Sequence, residues 1–317
     1  MVRIWAITII AGVAALMWAV LPAAAAPLRV VATTGMIADA AAEVGGPDVT
    51  VTGLMGAGVD PHSYRQTRAD ILAMAQADLV LWHGLYLEAQ LEDFMADLSV
   101  RTPVRAVAET LPRDRLIASG DYADRMDPHV WMDPVLWQDV VAAVAAALSE
   151  ADPAHAEAYA ARAADYTARL DALQDYAVAA LDSVPPEARV LVTAHDAFAY
   201  FGRAYGYEVL GVQGISTDSE AGLARIEGLV STLVDRKIGA IFVESSVSDR
   251  NLRALVEGAA ARGHDVRIGG ELFSDAMGPP ATYTGTYIGM IDHNVTTIAR
   301  ALGGTVPAGG FAAGAGL

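Results

Sequence analysis

Short apolar runs alternate with helical patterns along most of the chain. Runs rich in Val, Ile and Leu predict β-strands, four in each half of the chain: residues 28–33, 49–55, 78–82, 104–108, 189–193, 208–212, 240–244 and 265–268. Apolar residues spaced three or four apart predict helices between the strands, among them residues 68–76, 87–98, 137–150, 223–236 and 250–262. This alternation is typical of parallel sheets. We therefore predict an α/β fold of two lobes, each a mainly parallel four-stranded sheet with flanking helices.

One long helical pattern separates the two halves. From Pro153 to about Leu181 apolar residues recur every three or four positions, and Pro185-Pro186 ends the pattern. A helix of that length would measure roughly 43 Å, which is longer than one small lobe requires. We predict a rigid helix that joins both lobes, although the pattern also fits an ordinary surface helix of one domain. The predicted divisions are a signal peptide at 1–26, an N-terminal lobe at 27–152, the linking helix at 153–183 and a C-terminal lobe at 184–317.

The first 26 residues have the pattern of a secretory signal. Arg3 precedes an apolar run from Ile4 to Val20, and small residues at A-x-A spacing lead up to Ala26. A membrane anchor is the alternative, but this run is at the lower length limit for a spanning helix. We expect cleavage near Ala26 and a periplasmic protein with no stable membrane insertion. Because no cysteine stands at the cleavage point, we do not expect a lipoprotein.

Composition narrows the function classes. The 317 residues include no cysteine, which excludes disulfides, cysteine-based zinc sites and a cysteine nucleophile. The formal net charge of −17 argues against binding to nucleic acid or anionic membranes and favours the attraction of cations. Hydrophobic residues make up 54% of the chain, which is ample for a core.

Three of the seven histidines lie at the end of a predicted strand or the start of a predicted helix. His62 and His129 each follow an Asp-Pro dipeptide, and His195 follows an apolar strand. In open α/β sheets such positions line the crevice that binds ligands. Proline fixes the backbone just before the imidazole, which suits a preorganised metal ligand. Imidazole is a favoured ligand of zinc, copper, iron and nickel.

An anionic fourth ligand is expected from the second half of the chain. Glu244, Glu271 and Asp275 all lie at or just after predicted strands, and composition alone does not separate them. Asp275 also fits a purely structural role as a turn cap. The remaining histidines are expected to be structural, with His83 also considered as a support for the metal ligands. Asp133, Asp196 and Glu244 are candidates to orient the ligating imidazoles through their second ring nitrogen.

Four segments in chain order resemble the signature segments of the TroA/ZnuA-type (cluster A-I) family. These are Asp60-Pro61-His62, Asp127-Pro128-His129-Val130-Trp131, Thr193-Ala194-His195-Asp196-Ala197-Phe198 and Gly270-Glu271-Leu272-Phe273-Ser274-Asp275. The family comprises solute-binding components of ABC importers for zinc and manganese. The resemblance runs from about Arg29 to Gly303 and implies one metal ion between two lobes. Its ligands would be His62 and His129 from the first lobe and His195 and Asp275 from the second.

The resemblance also implies partners, an ABC permease and its ATPase, and we expect the protein itself to be a monomer. Three imidazoles and one carboxylate fit four-coordinate zinc, whereas TroA-like members are linked to manganese as well. Some manganese-binding relatives have glutamate where His195 stands, but the His-rich loop common in zinc-specific relatives is missing here. We therefore expect one divalent metal ion as the transported ligand, with Zn²⁺ slightly preferred over Mn²⁺.

Two other function classes fit part of this pattern. A zinc hydrolase would keep an open coordination position for water, whereas four protein ligands close the site. The chain also has no His-Glu-x-x-His pair and no Gly-x-Ser-x-Gly segment. A surface adhesin would need a means of attachment, and no lipid-bearing cysteine is present. We predict that the protein is not an enzyme and that it captures a metal ion for delivery to a permease.

Overall fold

The computed structural model describes residues 26–120 and 122–315, so nearly all of the predicted signal peptide lies outside the described residues. Four strands of the first lobe form one parallel sheet in the order β2-β1-β3-β4. They are β1 (Leu28–Ala32), β2 (Val49–Gly53), β3 (Leu79–Trp82) and β4 (Val104–Ala106). The two central strands carry the buried residues Val30, Val31, Leu79, Val80 and Leu81. Such continuous apolar runs are typical of parallel strands that are covered on both faces.

The second lobe also contains four parallel strands, which form two ladders rather than one. β5 (Val190–Thr193) pairs with β6 (Glu208–Gly211), β7 (Ala240–Glu244) pairs with β8 (Arg267–Leu272), and β5 lies beside β7. The last strand extends beyond its predicted end at residue 268. Glycine is depleted in strands, but Gly269 is required here because an added Cβ would lie 2.9 Å from the ring of Phe242.

Helices flank these strands. They are α1 (Gly35–Gly45), α2 (Arg68–Gln76), α3 (Glu92–Leu98), α4 (Pro134–Ala151), α5 (Ala156–Asp182), α6 (Ala199–Tyr205), α7 (Leu223–Asp235), α8 (Arg250–Ala261), α9 (Tyr287–Ala301) and α10 (Gly310–Ala315). Side chains cap several of them, as expected for Thr and Asp at these positions. Thr67 forms a capping box with Asp70 at α2, and Thr286 caps α9. Within the part of the chain described, no helix combines the length and the apolar character needed to cross a membrane.

The predicted linking helix is present. A 3₁₀ turn (Pro153–His155) precedes the 27-residue α5, which is about 40 Å long at 1.5 Å per residue. α5 packs against α1 and α4 of the first lobe and against α9 of the second lobe. This confirms a two-lobed α/β fold joined by one long helix, while the domain boundaries given above stay a prediction.

Polar and aromatic contacts fasten α5 and α9 to the first lobe. The Asp39 carboxylate of α1 accepts hydrogen bonds from the Tyr166 hydroxyl of α5 (2.9 Å) and from the Tyr287 N–H of α9 (3.1 Å). Burial raises the pKa of Asp39 to about 6. The ring of Tyr287 also stacks on Trp137 of α4, with centroids 5.2 Å apart. The lobes therefore share a packed interface beside the linking helix.

Candidate metal centre

Four buried side chains converge between the lobes: His62, His129, His195 and Asp275. One ligand atom of each lies within 4.8 Å of those of the other three. The Nε2 atoms of His62 and His129 are 3.3 Å apart. The carboxylate of Asp275 lies 3.5 Å from His129 Nε2 through Oδ1 and 3.2 Å from His195 Nε2 through Oδ2. The structure thus brings together all four residues that were singled out from the sequence.

Three of these side chains lie close to the end or the start of a helix or strand, and the fourth, His62, lies within a loop. His62 lies in the long loop between β2 and α2, and His129 precedes a 3₁₀ turn (Val130–Met132) that leads into α4. His195 follows β5 by two residues, and Asp275 follows β8 by three. In parallel sheets the carboxyl ends of strands form the ligand-binding edge. The fold therefore places donors from both lobes at one crevice.

Two further carboxylates hold two of the imidazoles in a fixed orientation. Asp127 Oδ1 accepts from the His129 N–H at 2.9 Å and from its Nδ1 at 2.7 Å. Glu244, at the end of β7, accepts from the His195 N–H at 2.9 Å and from its Nδ1 at 2.6 Å. A proton held on Nδ1 leaves the Nε2 lone pair available for a metal ion. Both imidazoles are therefore preorganised as Nε2 ligands.

The electrostatics of the cluster are dominated by burial and by these carboxylates. Burial alone would lower the pKa of His129, but Asp127 and Asp275 outweigh it and raise that pKa to about 9. Burial opposes the charged form of His195 as well, yet Asp275 and Glu244 hold its pKa well above the usual range. For Asp275, the two imidazoles overcome burial and keep its pKa well below the usual value. In the case of His62, burial prevails and lowers the pKa to about 3.

The carboxylates that orient the imidazoles differ in part from those expected. Glu244 has this role, but Asp133 instead caps α4 by accepting from the N–H groups of Val135 and Leu136. The expectation for Asp133 was therefore wrong, because an N-cap position already engages its carboxylate. Nδ1 of His195 is occupied by Glu244 rather than by Asp196. Asp127 was missed as an orienting group, although its spacing of two residues from His129 is a usable signal.

The other histidines lie outside the cluster. His83 is fully buried, with Nε2 2.7 Å from the Pro128 carbonyl and its ring edge-on to Trp131. It therefore supports the segment just before His129. His155 contacts Asp152, and the remaining two contact backbone carbonyl oxygens: His264 that of Ile238 and His293 that of Glu271. Their irrelevance to metal binding remains a prediction.

A two-lobed α/β protein with a buried cluster of three imidazoles and one carboxylate in its crevice has the form of a metal-binding solute receptor. Comparison with known families agrees. The family model described as "ZnuA: Zinc-uptake complex component A periplasmic" matches residues 30–301, and the chain belongs to this family. The resemblance seen in the sequence is thereby confirmed. The family consists of binding components of uptake systems, which confirms the expectation that the chain is not an enzyme.

Individual relatives are similar over almost their whole length. The manganese-binding lipoprotein MntA of Bacillus subtilis is 47% identical over 275 residues, which cover 87% of this chain and 90% of the relative. The zinc-binding protein TroA of Treponema pallidum is 46% identical over 273 residues, covering 86% and 88%. The solved structure of the Treponema pallidum periplasmic zinc-binding protein TroA superposes with a TM-score of 0.85 at 45% identity. That superposition covers 87% of this chain and 99% of the other.

Proposed function

We propose that this protein captures one divalent transition metal ion, zinc or manganese, in the periplasm and delivers it to an ABC permease driven by its ATPase. The observation that carries the proposal is the buried convergence of four donor groups between the lobes. Membership of the zinc-uptake family and the metal-binding names of two relatives support it. The metal ion is the transported substrate rather than a resident cofactor, because the proposed activity consists of capture and release.

The proposed ligands are His62, His129 and His195 through Nε2 and Asp275 through its carboxylate. Three neutral imidazoles would leave the full +2 charge of the ion in a buried crevice, which is costly without a nearby anion. Asp275 supplies that anion, because its carboxylate faces the cluster and its pKa is held well below the usual range. Asp127 and Glu244 are not proposed as ligands. They affect metal binding through the imidazoles that they orient.

Zinc is the metal that we propose to bind more tightly. Three nitrogens and one carboxylate suit tetrahedral zinc, and nitrogen-containing sites generally bind zinc more tightly than manganese. Manganese favours oxygen donors, and Asp275 has both carboxylate oxygens within 3.5 Å of an imidazole of the cluster. The second carboxylate oxygen of Asp275 would give manganese a further oxygen ligand. Competitive titration of the two metals tests this order, and manganese affinity equal to or tighter than zinc affinity would reverse it.

We further propose that the mature protein is a monomer without a lipid anchor. The absence of cysteine supports the second point, because the lipid of a bacterial lipoprotein is attached to a cysteine. The name of the Bacillus subtilis relative, a lipoprotein, argues in the other direction. Growth of cells with a labelled fatty acid decides between these forms: an unlabelled periplasmic protein is expected, and a labelled membrane-bound one would contradict this part of the proposal.

The ligand set is tested by thermal melts with and without saturating zinc. Asp275→Asn keeps the shape of the side chain and removes its charge. It should weaken zinc binding by more than the roughly 10–100-fold typical of groups that only orient a ligand. The metal-induced rise in melting temperature should shrink accordingly, because that stabilisation scales with the logarithm of the ligand concentration over Kd.

Glu271→Gln is the matched control, since Glu271 lies on the same segment and is exposed. It should retain the full metal-induced rise in melting temperature. Glu244→Gln should show a metal-induced rise in melting temperature between those of Asp275→Asn and Glu271→Gln, because it disturbs only the orientation of His195. Loss of the rise in Glu271→Gln together with its retention in Asp275→Asn would refute the proposed ligand set.

A further inference from the structure

The crevice between the lobes is partly open on one side. His62 is the proposed ligand that lies at this opening. Its ring borders a cavity of about 220 Å³ that is also lined by Tyr86, Arg125, Ser216 and Asp218. His62 is itself only 3% exposed, but the buried side chains of His129, His195 and Asp275 do not line this cavity. A metal ion that leaves through this cavity therefore passes His62 last.

The segment that carries His129 belongs to the first lobe in sequence but is fastened to the second lobe. The Tyr200 hydroxyl of α6 donates to the Asp127 carbonyl at 2.8 Å. The indole N–H of Trp131 donates to the Ser274 carbonyl, and the Tyr287 hydroxyl donates to the Trp131 carbonyl, both also at 2.8 Å. These three buried bonds flank His129 on both sides. His129 therefore stays with His195 and Asp275 as one rigid set of three donors.

The loop that carries His62 is held differently. No helix or strand is present between β2 and α2, and the loop includes Gly56 and Gly58 next to its ligand motif. One link to the second lobe is made by Thr217, whose hydroxyl donates to Asp60 Oδ2 at 2.6 Å. The same carboxylate, through Oδ1, accepts from the N–H of His62 at 2.9 Å. The Thr217 contact is thus two hydrogen bonds away from the ligand itself.

We propose that Thr217 is a positioning residue that holds the His62 loop closed and thereby sets the rate of metal release. When its hydroxyl lets go of Asp60, the loop can withdraw His62 through the cavity, while the other three donors remain in place. Release then begins by detachment of one ligand rather than by separation of the lobes. This inference rests on the proposed function, since it assumes that the cluster holds a metal ion.

The test measures the dissociation rate of zinc from the full-length mature protein, using excess chromophoric chelator in a stopped-flow instrument. Thr217→Val keeps the shape of the side chain and removes the hydroxyl. A hydrogen bond to a charged acceptor is strong enough that its loss should speed release by about tenfold. Thr217→Ser restores the donor and should release zinc within about twofold of wild type.

Thr296→Val is the matched control, because Thr296 also donates to a carboxylate, that of the buried Asp292, but lies on α9 away from the crevice. It should leave the release rate unchanged, and the metal-free melting temperature of Thr217→Val should fall by no more than a few degrees, as expected for one lost hydrogen bond in a protein of this size. An unchanged rate in Thr217→Val, equal acceleration in Thr296→Val, or failure of Thr217→Ser to rescue would each overturn the inference. Wild-type protein that binds no zinc would instead overturn the proposed function, and this inference with it.

Discussion

The two Asp-Pro-His motifs share one local structure and differ in everything beyond it. In both, an aspartate oxygen accepts from the N–H of the histidine two residues later, at 2.9 Å. In the second motif Asp127 also holds His129 Nδ1, and the segment is bonded to the other lobe on both sides. In the first motif the Asp60 carboxylate turns outward to Ser63 and Thr217. One motif holds a fixed imidazole, and the other carries its imidazole on a loop.

This contrast shows which level of structure sets each property. The turn is local, because an aspartate side chain readily accepts from a backbone N–H two residues on. The fixity of the segment that carries His129 is tertiary, because it depends on partners from distant parts of the chain such as Tyr200 and Ser274. A site built from one rigid set and one movable ligand can combine tight binding with release.

The largest difference is expected between His129→Ala and His62→Ala. Loss of His129 should abolish the metal-induced rise in melting temperature, with affinity reduced by far more than about 100-fold. It should also lower the metal-free free energy of unfolding by about 2 kcal/mol, because the buried Asp127 carboxylate loses a partner. Loss of His62 should reduce affinity less and leave metal-free stability close to wild type. Isothermal titration measures the zinc affinity, and thermal melts measure the metal-free stability. Equal losses of affinity and stability in the two variants would contradict the difference between His129 and His62.

A smaller difference is expected between the two aspartates. Asp127→Asn should lower zinc affinity by about 10–100-fold, the usual effect of a group that orients a ligating histidine. Asp60→Asn should lower it by no more than about tenfold, the effect expected from losing the Thr217 hydrogen bond, because the contacts of Asp60 do not include the imidazole ring. Competition with a chelator of known affinity gives both values. If Asp60→Asn proved the more damaging, Asp127 would not be orienting His129 as described.

The remaining prediction concerns the pH dependence of metal binding. In the empty site the pKa of His129 is raised to about 9, so this imidazole carries a proton at neutral pH. A metal ion must displace that proton, so affinity should fall as pH falls below about 9, by at least about tenfold per unit. His62 should contribute little between pH 6 and 8, because its pKa is lowered to about 3. Calorimetry in buffers of different ionisation enthalpy counts the released protons, and a count of zero at pH 7 would contradict this.

The sequence was sufficient to predict that these four side chains lie together, but not the contacts that hold them. His62, His129, His195 and Asp275 belong to short motifs, and the residue types and spacing of a short motif can be read directly from the sequence. Glu244 could be identified only as one of several candidates, because its contact with His195 requires β7 to lie beside β5. Thr217 had no signal, since its partner Asp60 is 157 residues away along the chain.

In the fold as well, features that depend on local sequence were predictable, and features that depend on contacts between distant parts of the chain were not. The eight strands and the linking helix were predictable, because apolar periodicity is a local property. The separation of the second lobe into two ladders was not, because pairing depends on contacts between distant strands. Asp133 illustrates the corresponding error at the site: an aspartate near a ligand looks like an orienting group, but here its carboxylate caps α4.

The central claim is that one metal ion is held by three imidazoles and one carboxylate between the lobes. A crystal structure of the zinc-loaded protein, with anomalous diffraction data on both sides of the zinc edge, tests it most directly. We expect a single strong anomalous peak, from a zinc ion coordinated by Nε2 of His62, His129 and His195 and by the Asp275 carboxylate. A peak at any other position, or a zinc ion in the crevice without Asp275 among its ligands, would contradict it.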